Sequence, residues 1–208
     1  MKQILIIDCG AGNLHSVRKA LAHVAPDDEV RITSDAAELA TATHIVLPGV
    51  GAFADCMNGL KALPNMIAAL EKHVRHGTTP FLGICVGMQM LFERGHEFGV
   101  HEGLGWFKGE VKPLTPADQN LRIPHMGWNK LRLKANHPLF SNIPQASHAY
   151  FVHSYHAVGA APNDVLATVD YGGDVVAIIG RDHIVATQFH PEKSQRIGLE
   201  LLTNFVRM

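Results

Sequence analysis

Four short apolar runs alternate with helix-like or turn segments in the first half of the chain, and this alternation restricts the possible folds most. The runs are Gln3–Asp8, Glu29–Ile32, His44–Leu47 and Pro80–Ile84. Continuous apolar runs of this length are typical of parallel strands that are buried on both faces. Because they alternate with helical patterns, they predict a doubly wound α/β sheet.

Helical spacing of apolar residues appears in three segments, Asn13–Ala25, Leu60–His76 and the closing segment Lys193–Met208. The second half differs, because short strand-like pieces are separated there by Pro, Gly and Asn, which predicts some antiparallel pairing. These pieces are Trp106–Pro113, Asn129–Leu133, Tyr150–Tyr155, Asp164–Val169, Val175–Gly180 and Ile184–Gln188. No linker or repeat divides the chain, so we expect a single domain over residues 1–208.

Composition and charge argue against several kinds of function. The formal net charge is −1, so there is no excess of positive charge to neutralise a nucleic-acid backbone. The N-terminal apolar run stops at Asp8, far short of a signal-peptide core or a membrane span. The cysteines Cys9, Cys56 and Cys85 are an odd number without metal spacing, which favours a reducing compartment. We expect a cytoplasmic protein with no metal, cofactor, nucleic acid or membrane as partner.

The sharpest local motif surrounds Cys85, where an apolar strand runs into an apolar helical pattern through Gly83-Ile84-Cys85-Val86-Gly87. Flanking glycines permit the tight turn of a nucleophile elbow, which lifts the thiol above the carboxyl end of the sheet. A helix N-terminus there favours the thiolate and directs the Val86 amide at an oxyanion. The alternative is a buried structural cysteine.

A base for this thiol is offered by His190, which follows the last predicted strand. Glu192 lies on the same side of the chain if the backbone stays extended, a geometry that Pro191 favours at His190. Its carboxylate would then hold the imidazole in one tautomer and stabilise the imidazolium. A surface ion pair is the alternative interpretation.

A third motif, Pro48-Gly49-Val50-Gly51, ends a buried strand at the same edge of the sheet. Such a turn can present backbone amides to a negative oxygen. Its glycines would also let a peptide rotate between amide-in and amide-out states. The alternative is an ordinary strand-to-helix connection.

In their order and rough spacing, these three motifs resemble the class I (triad) glutamine amidotransferases. Longer segments are similar to the glutaminase subunits of imidazole glycerol phosphate synthase, and the resemblance covers nearly the whole chain. It implies a flavodoxin-like fold, in which helices flank a mostly parallel central sheet and extra antiparallel strands occur in the second half. The segments are Ile7–Asn13, Pro48–Phe53, Pro124–Asn129, Tyr150–Tyr155 and Gln188–Ser194.

The resemblance also implies roles for individual residues. Cys85, His190 and Glu192 would form the catalytic triad, and the amides of Val50 and Val86 would form the oxyanion hole. The residues implied around bound glutamine are Gly51, Gln89, Glu97, His153, Ser154 and Tyr155. Those implied at a partner interface are Asn13, Trp128, Tyr150 and Lys193.

By this resemblance, glutamine is hydrolysed to glutamate and ammonia, and the partner is a (β/α)₈-barrel cyclase subunit in a heterodimer. The cyclase would combine the ammonia with the ribulosyl nucleotide PRFAR to give imidazole glycerol phosphate and AICAR in histidine biosynthesis. In the family, the first oxyanion donor turns inward when the partner's substrate binds. One sheet also leaves no room for an ammonia-consuming domain, so the acceptor site is expected on another chain.

Two residues depart from the family pattern. Cys9 stands where tyrosine is common, and Val86 stands where leucine is usual after the nucleophile. Because Val86 contributes mainly its amide, we expect a change in packing only. Cys9 is expected near the docking edge.

Other functions compete with this interpretation. A γ-glutamyl hydrolase or a peptidase acting alone would keep the fold and the thiol but would not explain the Met126–Asn129 and Tyr150–Tyr155 segments. A metal-binding protein is suggested by the 14 histidines, although no combined Cys/His set has ligand spacing. Ser154 lies between His153 and His156, but no glycine elbow surrounds it.

Overall fold

A computed structural model describes all 208 residues of the chain. Its strands are β1 (Gln3–Ile7), β2 (Glu29–Thr33), β3 (His44–Gly49), β4 (Phe81–Cys85), β5 (Phe92–Gly95), β6 (His101–Glu102), β7 (Phe107–Pro113), β8 (His125–Lys130), β9 (Arg132–Leu133), β10 (His148–His153), β11 (Tyr155–Val158), β12 (Val165–Asp170), β13 (Asp174–Arg181) and β14 (Ile184–Thr187). The α-helices are α1 (Leu14–Val24), α2 (Phe53–Ala62), α3 (Met66–Leu70), α4 (Val86–Gln89) and α5 (Gln195–Arg207). A π-helical turn covers Glu71–Arg75, and 3₁₀ turns cover Ala36–Thr41, Pro138–Phe140, Pro162–Asp164 and Pro191–Lys193.

The main sheet contains eight strands in the order β2-β1-β3-β4-β14-β13-β12-β9. The neighbours from β2 to β14 pair in parallel, and those from β14 to β9 pair antiparallel. Both the mostly parallel α/β sheet and the antiparallel additions in the second half are therefore confirmed. The apolar runs of the first half form its buried centre, where every residue of β3 and β4 is buried.

Two smaller sheets come from the second half of the chain, an antiparallel pair of β10 and β8 and a four-stranded sheet in the order β11-β7-β5-β6. Two predicted strands each divide between sheets. Asn129–Leu133 divides at Leu131, where the chain leaves the partner β10 and joins β12. Tyr150–Tyr155 divides at Ser154, because β10 pairs with β8 whereas β11 pairs with β7.

The predicted helix Leu60–His76 was wrong as a single element. The chain leaves α2 after Ala62 and re-enters a helix at Met66, with Pro64 and a left-handed Asn65 (φ 60°) between them. Proline has no amide hydrogen and its ring clashes with the preceding helical turn, so the helix ends despite the continuing apolar period.

The register of the central strands brings three chain segments to one edge of the sheet. Gly49 lies opposite Cys85, and Ile84 lies opposite Thr187. The residues that follow β3, β4 and β14 therefore leave the sheet side by side, as is usual for parallel α/β sheets. Among the helices, none combines the length and the apolar character needed to cross a membrane.

Candidate active site

The strand-to-helix turn at Cys85 has an unusual backbone. Cys85 itself adopts φ 56° and ψ −109°, a region that non-glycine residues rarely occupy and that concentrates at functional sites. The neighbouring glycines have another purpose, because a Cβ on Gly87 would lie 1.8 Å from the carbonyl oxygen of Leu47. They let the single-turn helix α4 pack directly on β3, so the elbow forms by close approach of backbones.

Glu192 holds His190 at the same edge of the sheet as Cys85. Its Nδ1 lies 2.9 Å from Oε1 of Glu192, and the two side chains are 3% and 1% exposed. His190 has the extended backbone expected from the sequence, but Pro191–Lys193 forms a 3₁₀ turn. The expected extended path from His190 to Glu192 was therefore wrong. The 3₁₀ turn instead brings the Glu192 carboxylate back to the imidazole of His190.

The electrostatics of His190 favour its charged form. Burial lowers the pKa of His190, but hydrogen bonds to Cys85 and Glu192 outweigh burial and raise it from 6.5 to about 9. Because Nδ1 donates to the carboxylate, Nε2 is the nitrogen left to contact the thiol. The arrangement suits a thiolate and an imidazolium side by side.

Backbone contacts hold His190 against β10. The amide of His190 donates to the carbonyl of Tyr150 at 3.1 Å. The Ser194 hydroxyl donates to the carbonyl of His190 at 2.7 Å and accepts from the amide of Tyr150 at 3.0 Å. The position of His190 is therefore set from both sides of the 3₁₀ turn, and Tyr150 shares that support.

A cavity of about 140 Å³ lies over Cys85. Eleven residues line it: Val50, Gly51, Cys85, Val86, Gln89, Glu97, Val152, His153, Tyr155, His190 and Lys193. The structure thus brings together Cys85, His190, both expected amide donors and most residues expected around glutamine. Ser154 does not line the cavity, and its carbonyl accepts from the amide of Leu114.

The Val50 turn meets the cavity from β3. Gly51 adopts φ 112°, in the region that favours glycine. The Val50 carbonyl accepts from the thiol of Cys56 at 3.7 Å, whereas its amide has no hydrogen-bond partner in the chain. This amide is available to a negative oxygen.

The expected interface residues differ in their surroundings. Trp128 is 46% exposed, and its ring contacts Tyr150 edge-on with centroids 5.8 Å apart. Asn13 precedes α1, and Lys193 is exposed at the cavity wall. Cys9 is buried and its thiol contacts the carbonyl of Ala11, so its side chain offers no surface for docking.

Two polar residues of the site were missed in the sequence. Nε2 of Gln188 lies 3.8 Å from the sulfur of Cys85, and its spacing of two residues from His190 on an extended chain was a usable signal. His125 contacts His153 at 2.9 Å, which no local spacing could have shown. No group of three or more His, Cys, Asp or Glu side chains is placed to hold a metal ion.

Comparisons with known proteins identify the family of the chain. The family model of class-I glutamine amidotransferases matches residues 5–208. The chain is 51% identical over 212 residues to the imidazole glycerol phosphate synthase subunit HisH of Brucella suis biovar 1 (strain 1330), covering 99% of this chain and 98% of that protein. The same identity and coverage hold for subunit HisH of Mesorhizobium japonicum.

Solved structures of proteins with much lower sequence identity have a similar fold. The structure of PurLQS from Thermotoga maritima matches with a TM-score of 0.73 at 14% identity, covering 99% of this chain and 98% of that chain. A solved glutamine amidotransferase matches with a TM-score of 0.70 at 18% identity, covering 95% of this chain and 98% of that chain. The chain belongs to the class-I glutamine amidotransferases and, within them, to the HisH subunits of imidazole glycerol phosphate synthase.

Proposed function

We propose that this chain hydrolyses the side-chain amide of glutamine, with Cys85 as nucleophile, His190 as acid and base, and Glu192 as the group that orients His190. One observation carries the proposal: buried contacts run from Glu192 through His190 to Cys85, beside one cavity. Covalent amide hydrolysis requires a nucleophile, a base and an orienting group in that order. Membership of the glutamine amidotransferases supports glutamine as substrate.

The proposed reaction begins when the Cys85 thiolate attacks the amide carbon and the carbonyl becomes an oxyanion. The C–N bond then breaks, and the His190 imidazolium gives its proton to the leaving nitrogen, which departs as ammonia. Water attacks the resulting glutamyl thioester while neutral His190 takes its proton. Breakage of the C–S bond releases glutamate and restores the thiolate and imidazolium.

Two backbone amides are suited to the oxyanion. Val86 begins α4, and the first amides of a helix have no partner within it. The Val50 amide also has no partner in the chain. We assign both to the oxyanion hole, with Val50 turning fully inward when a partner's substrate binds. Losing one such donor typically costs ~10²–10³ in rate, enough to separate an idle site from an active one.

The cavity wall also offers groups for the amino-acid end of glutamine. One oxygen of Glu97 accepts from the amide of Phe53 at 2.8 Å, which fixes a negative charge where the α-ammonium group would be neutralised. Gln89 donates from its nitrogen to the carbonyl of Tyr155 and to Gln188, both at 3.1 Å. Its own oxygen is left to accept from glutamine.

We assign the released ammonia to a cyclase subunit docked on this face, which would use it to form imidazole glycerol phosphate and AICAR from PRFAR in histidine biosynthesis. Exposed apolar side chains support docking, since Met126 is 62% and Trp128 46% exposed. A large aromatic side chain with a polar group suits the centre of an interface. Asn13, Tyr150 and Lys193 complete the proposed surface, and we place the complex in the cytoplasm.

A glutaminase assay with and without the cyclase and its nucleotide tests this function. The isolated chain should hydrolyse glutamine slowly, and the complete complex should be ~10²–10³ faster. Val50→Ala keeps the amide and should be stimulated normally, whereas Val50→Pro removes the amide hydrogen and should stay at the idle rate.

Two results would contradict the proposal. Fast hydrolysis by the isolated chain would rule out a partner-controlled oxyanion hole. Rapid turnover of a γ-glutamyl peptide, with no stimulation by the cyclase, would instead identify a hydrolase that acts alone.

A further inference from the structure

A line of buried and partly buried hydrogen bonds runs behind the cavity from β8 to the end of β10. The side chain of Asn129 lies 3.2 Å from Nε2 of His125. Nδ1 of His125 lies 2.9 Å from Nε2 of His153. Nδ1 of His153 in turn lies 2.9 Å from the carbonyl oxygen of Tyr155. His153 and Tyr155 line the cavity, so this line supports its wall.

The groups at the two ends of the line determine which nitrogen of each imidazole carries the proton. A carbonyl oxygen only accepts, so His153 must carry its proton on Nδ1 and accept at Nε2. His125 must then donate from Nδ1 and accept at Nε2. At the other end, Oδ1 of Asn129 accepts from the amide of Lys130 at 2.7 Å, which leaves the Asn129 nitrogen as the donor to His125.

Both imidazoles must be neutral for this order to hold. Burial lowers the pKa of His125 to about 4. The pKa of His153 is lowered to about 3, mainly by burial and also by neighbouring histidines, against a bond to the Tyr155 carbonyl that raises it. Each ring therefore has one donor and one acceptor at neutral pH, as the alternating order requires.

The His125 ring is also held in its plane. It stacks on Phe151 with centroids 4.7 Å apart and on Tyr171 with centroids 3.9 Å apart. The ring lies between two aromatic side chains, so its nitrogens have a fixed direction. His125 can therefore orient His153 rather than follow it.

The same line continues toward the nucleophile. The Tyr155 carbonyl also accepts from Gln89, whose nitrogen donates to Oε1 of Gln188. Nε2 of Gln188 lies 3.8 Å from the sulfur of Cys85. Five side chains and one carbonyl thus connect β8 with Cys85, without using His190 or Glu192.

We propose that His125 is a positioning residue for the glutamine site, because its Nδ1–H fixes the His153 imidazole and, through the Tyr155 carbonyl, the amides of Gln89 and Gln188. This role rests on the proposed glutamine chemistry. Without the His125 donor, Nε2 of His153 would be a buried acceptor without a partner. The imidazole would rotate to regain one and release the Tyr155 carbonyl.

Two substitutions separate hydrogen bonding from packing. His125→Phe keeps an aromatic ring between Phe151 and Tyr171 but removes both nitrogens. His125→Asn removes the ring but places an amide N–H near the position of Nδ1. In the complex with the cyclase, His125→Phe should raise the KM for glutamine about tenfold and change kcat less. His125→Asn should restore KM to within about threefold of the unmodified chain.

Synthesis with added ammonium salt should be equal for both variants and the unmodified complex, which shows that each variant folds and docks. An unchanged KM in His125→Phe would overturn the role of His125. A larger rise in His125→Asn than in His125→Phe would also overturn it, by assigning the effect to packing.

Nitrogen NMR of the imidazoles in the unmodified chain gives an independent test. Both His125 and His153 should show the proton on Nδ1, and a proton on Nε2 of His153 would overturn the proposed order. If the unmodified complex showed no glutamine-dependent synthesis at all, the proposed function would fail. The NMR result would still show which nitrogens of His125 and His153 carry the protons.

Discussion

Two buried histidine systems lie beside one cavity, and only one of them is charged at neutral pH. His190 lies between Glu192 and Cys85, and its pKa is raised to about 9 despite burial. In the other system, His125 and His153 contact each other, and burial lowers their pKa values to about 4 and about 3. At neutral pH the first system carries a proton for transfer, whereas the second is uncharged.

The difference shows that burial does not decide the charge of a histidine by itself. In both systems, burial disfavours the imidazolium. His190 has a carboxylate and a thiol as partners, which favour the charge. His125 and His153 have an amide and a carbonyl at the two ends of their line, which do not offset burial, so both rings stay neutral and donate in one direction. One kind of side chain thus serves for proton transfer in one system and for orientation in the other.

Among the substitutions that test this contrast, removal of the Cys85 thiol from the His190 system should have the largest effect. Cys85→Ala should lower glutamine-dependent synthesis by ~10⁶, as loss of a nucleophile does in comparable triads. The pKa of His190 should fall below about 9, since a partner that raises it is lost. Kinetics of the complex and an NMR titration of His190 measure both effects.

Synthesis from added ammonium salt is the control for Cys85→Ala. It should stay at the level of the unmodified complex, because the acceptor reaction takes place on the other subunit. Loss of both syntheses would mean that Cys85 has a structural role.

Removing the charge of Glu192 should have the next largest effect. Glu192→Gln keeps the size of the side chain but not its charge, so the pKa of His190 falls and its tautomer is no longer imposed. By comparison with other triads, kcat should fall ~10⁴. A loss of less than tenfold in steady-state assays would show that orientation by neighbouring backbone is enough.

Much of the His190 system was predictable from local patterns. Apolar runs predicted the parallel strands, and the carboxyl ends of parallel strands meet at one edge, so Val50, Cys85 and His190 were expected together. The details were less accessible. The positive φ at Cys85 and the 3₁₀ turn at Glu192 depend on tertiary packing, which overrides the local preferences used to predict an extended path.

The His125–His153 system could not be predicted in this way. Its two histidines are 28 positions apart, and their contact requires the pairing of β8 with β10 in one register. Hydrophobic periodicity shows which residues are buried but not which strands pair. The break at Pro64 is a different case, because proline was visible in the sequence and the apolar period concealed its effect.

The pH dependence of the free energy of unfolding should also distinguish the two systems, although this effect is smaller than the losses of activity. His125 and His153 have lower pKa values folded than unfolded, so the unfolded chain binds more protons below pH 6.5. Their contribution to stability is therefore lost as pH falls from 6.5 toward 4, at up to ~1.4 kcal/mol per pH unit for each histidine. Urea unfolding at pH 6.5 and 5 measures this loss, and His125→Phe should show a loss smaller by ~2 kcal/mol.

His190 should act at the opposite end of the pH range. Its folded pKa is raised to about 9, so its contribution is complete below pH 6.5 and is lost as pH rises through 9. Glu192→Gln lowers that pKa and should flatten the alkaline loss much more than the acid loss. If Glu192→Gln reduced the acid loss and the alkaline loss of stability equally, the two histidine systems would titrate as one. The contrast between the His190 system and the His125–His153 system would then not hold.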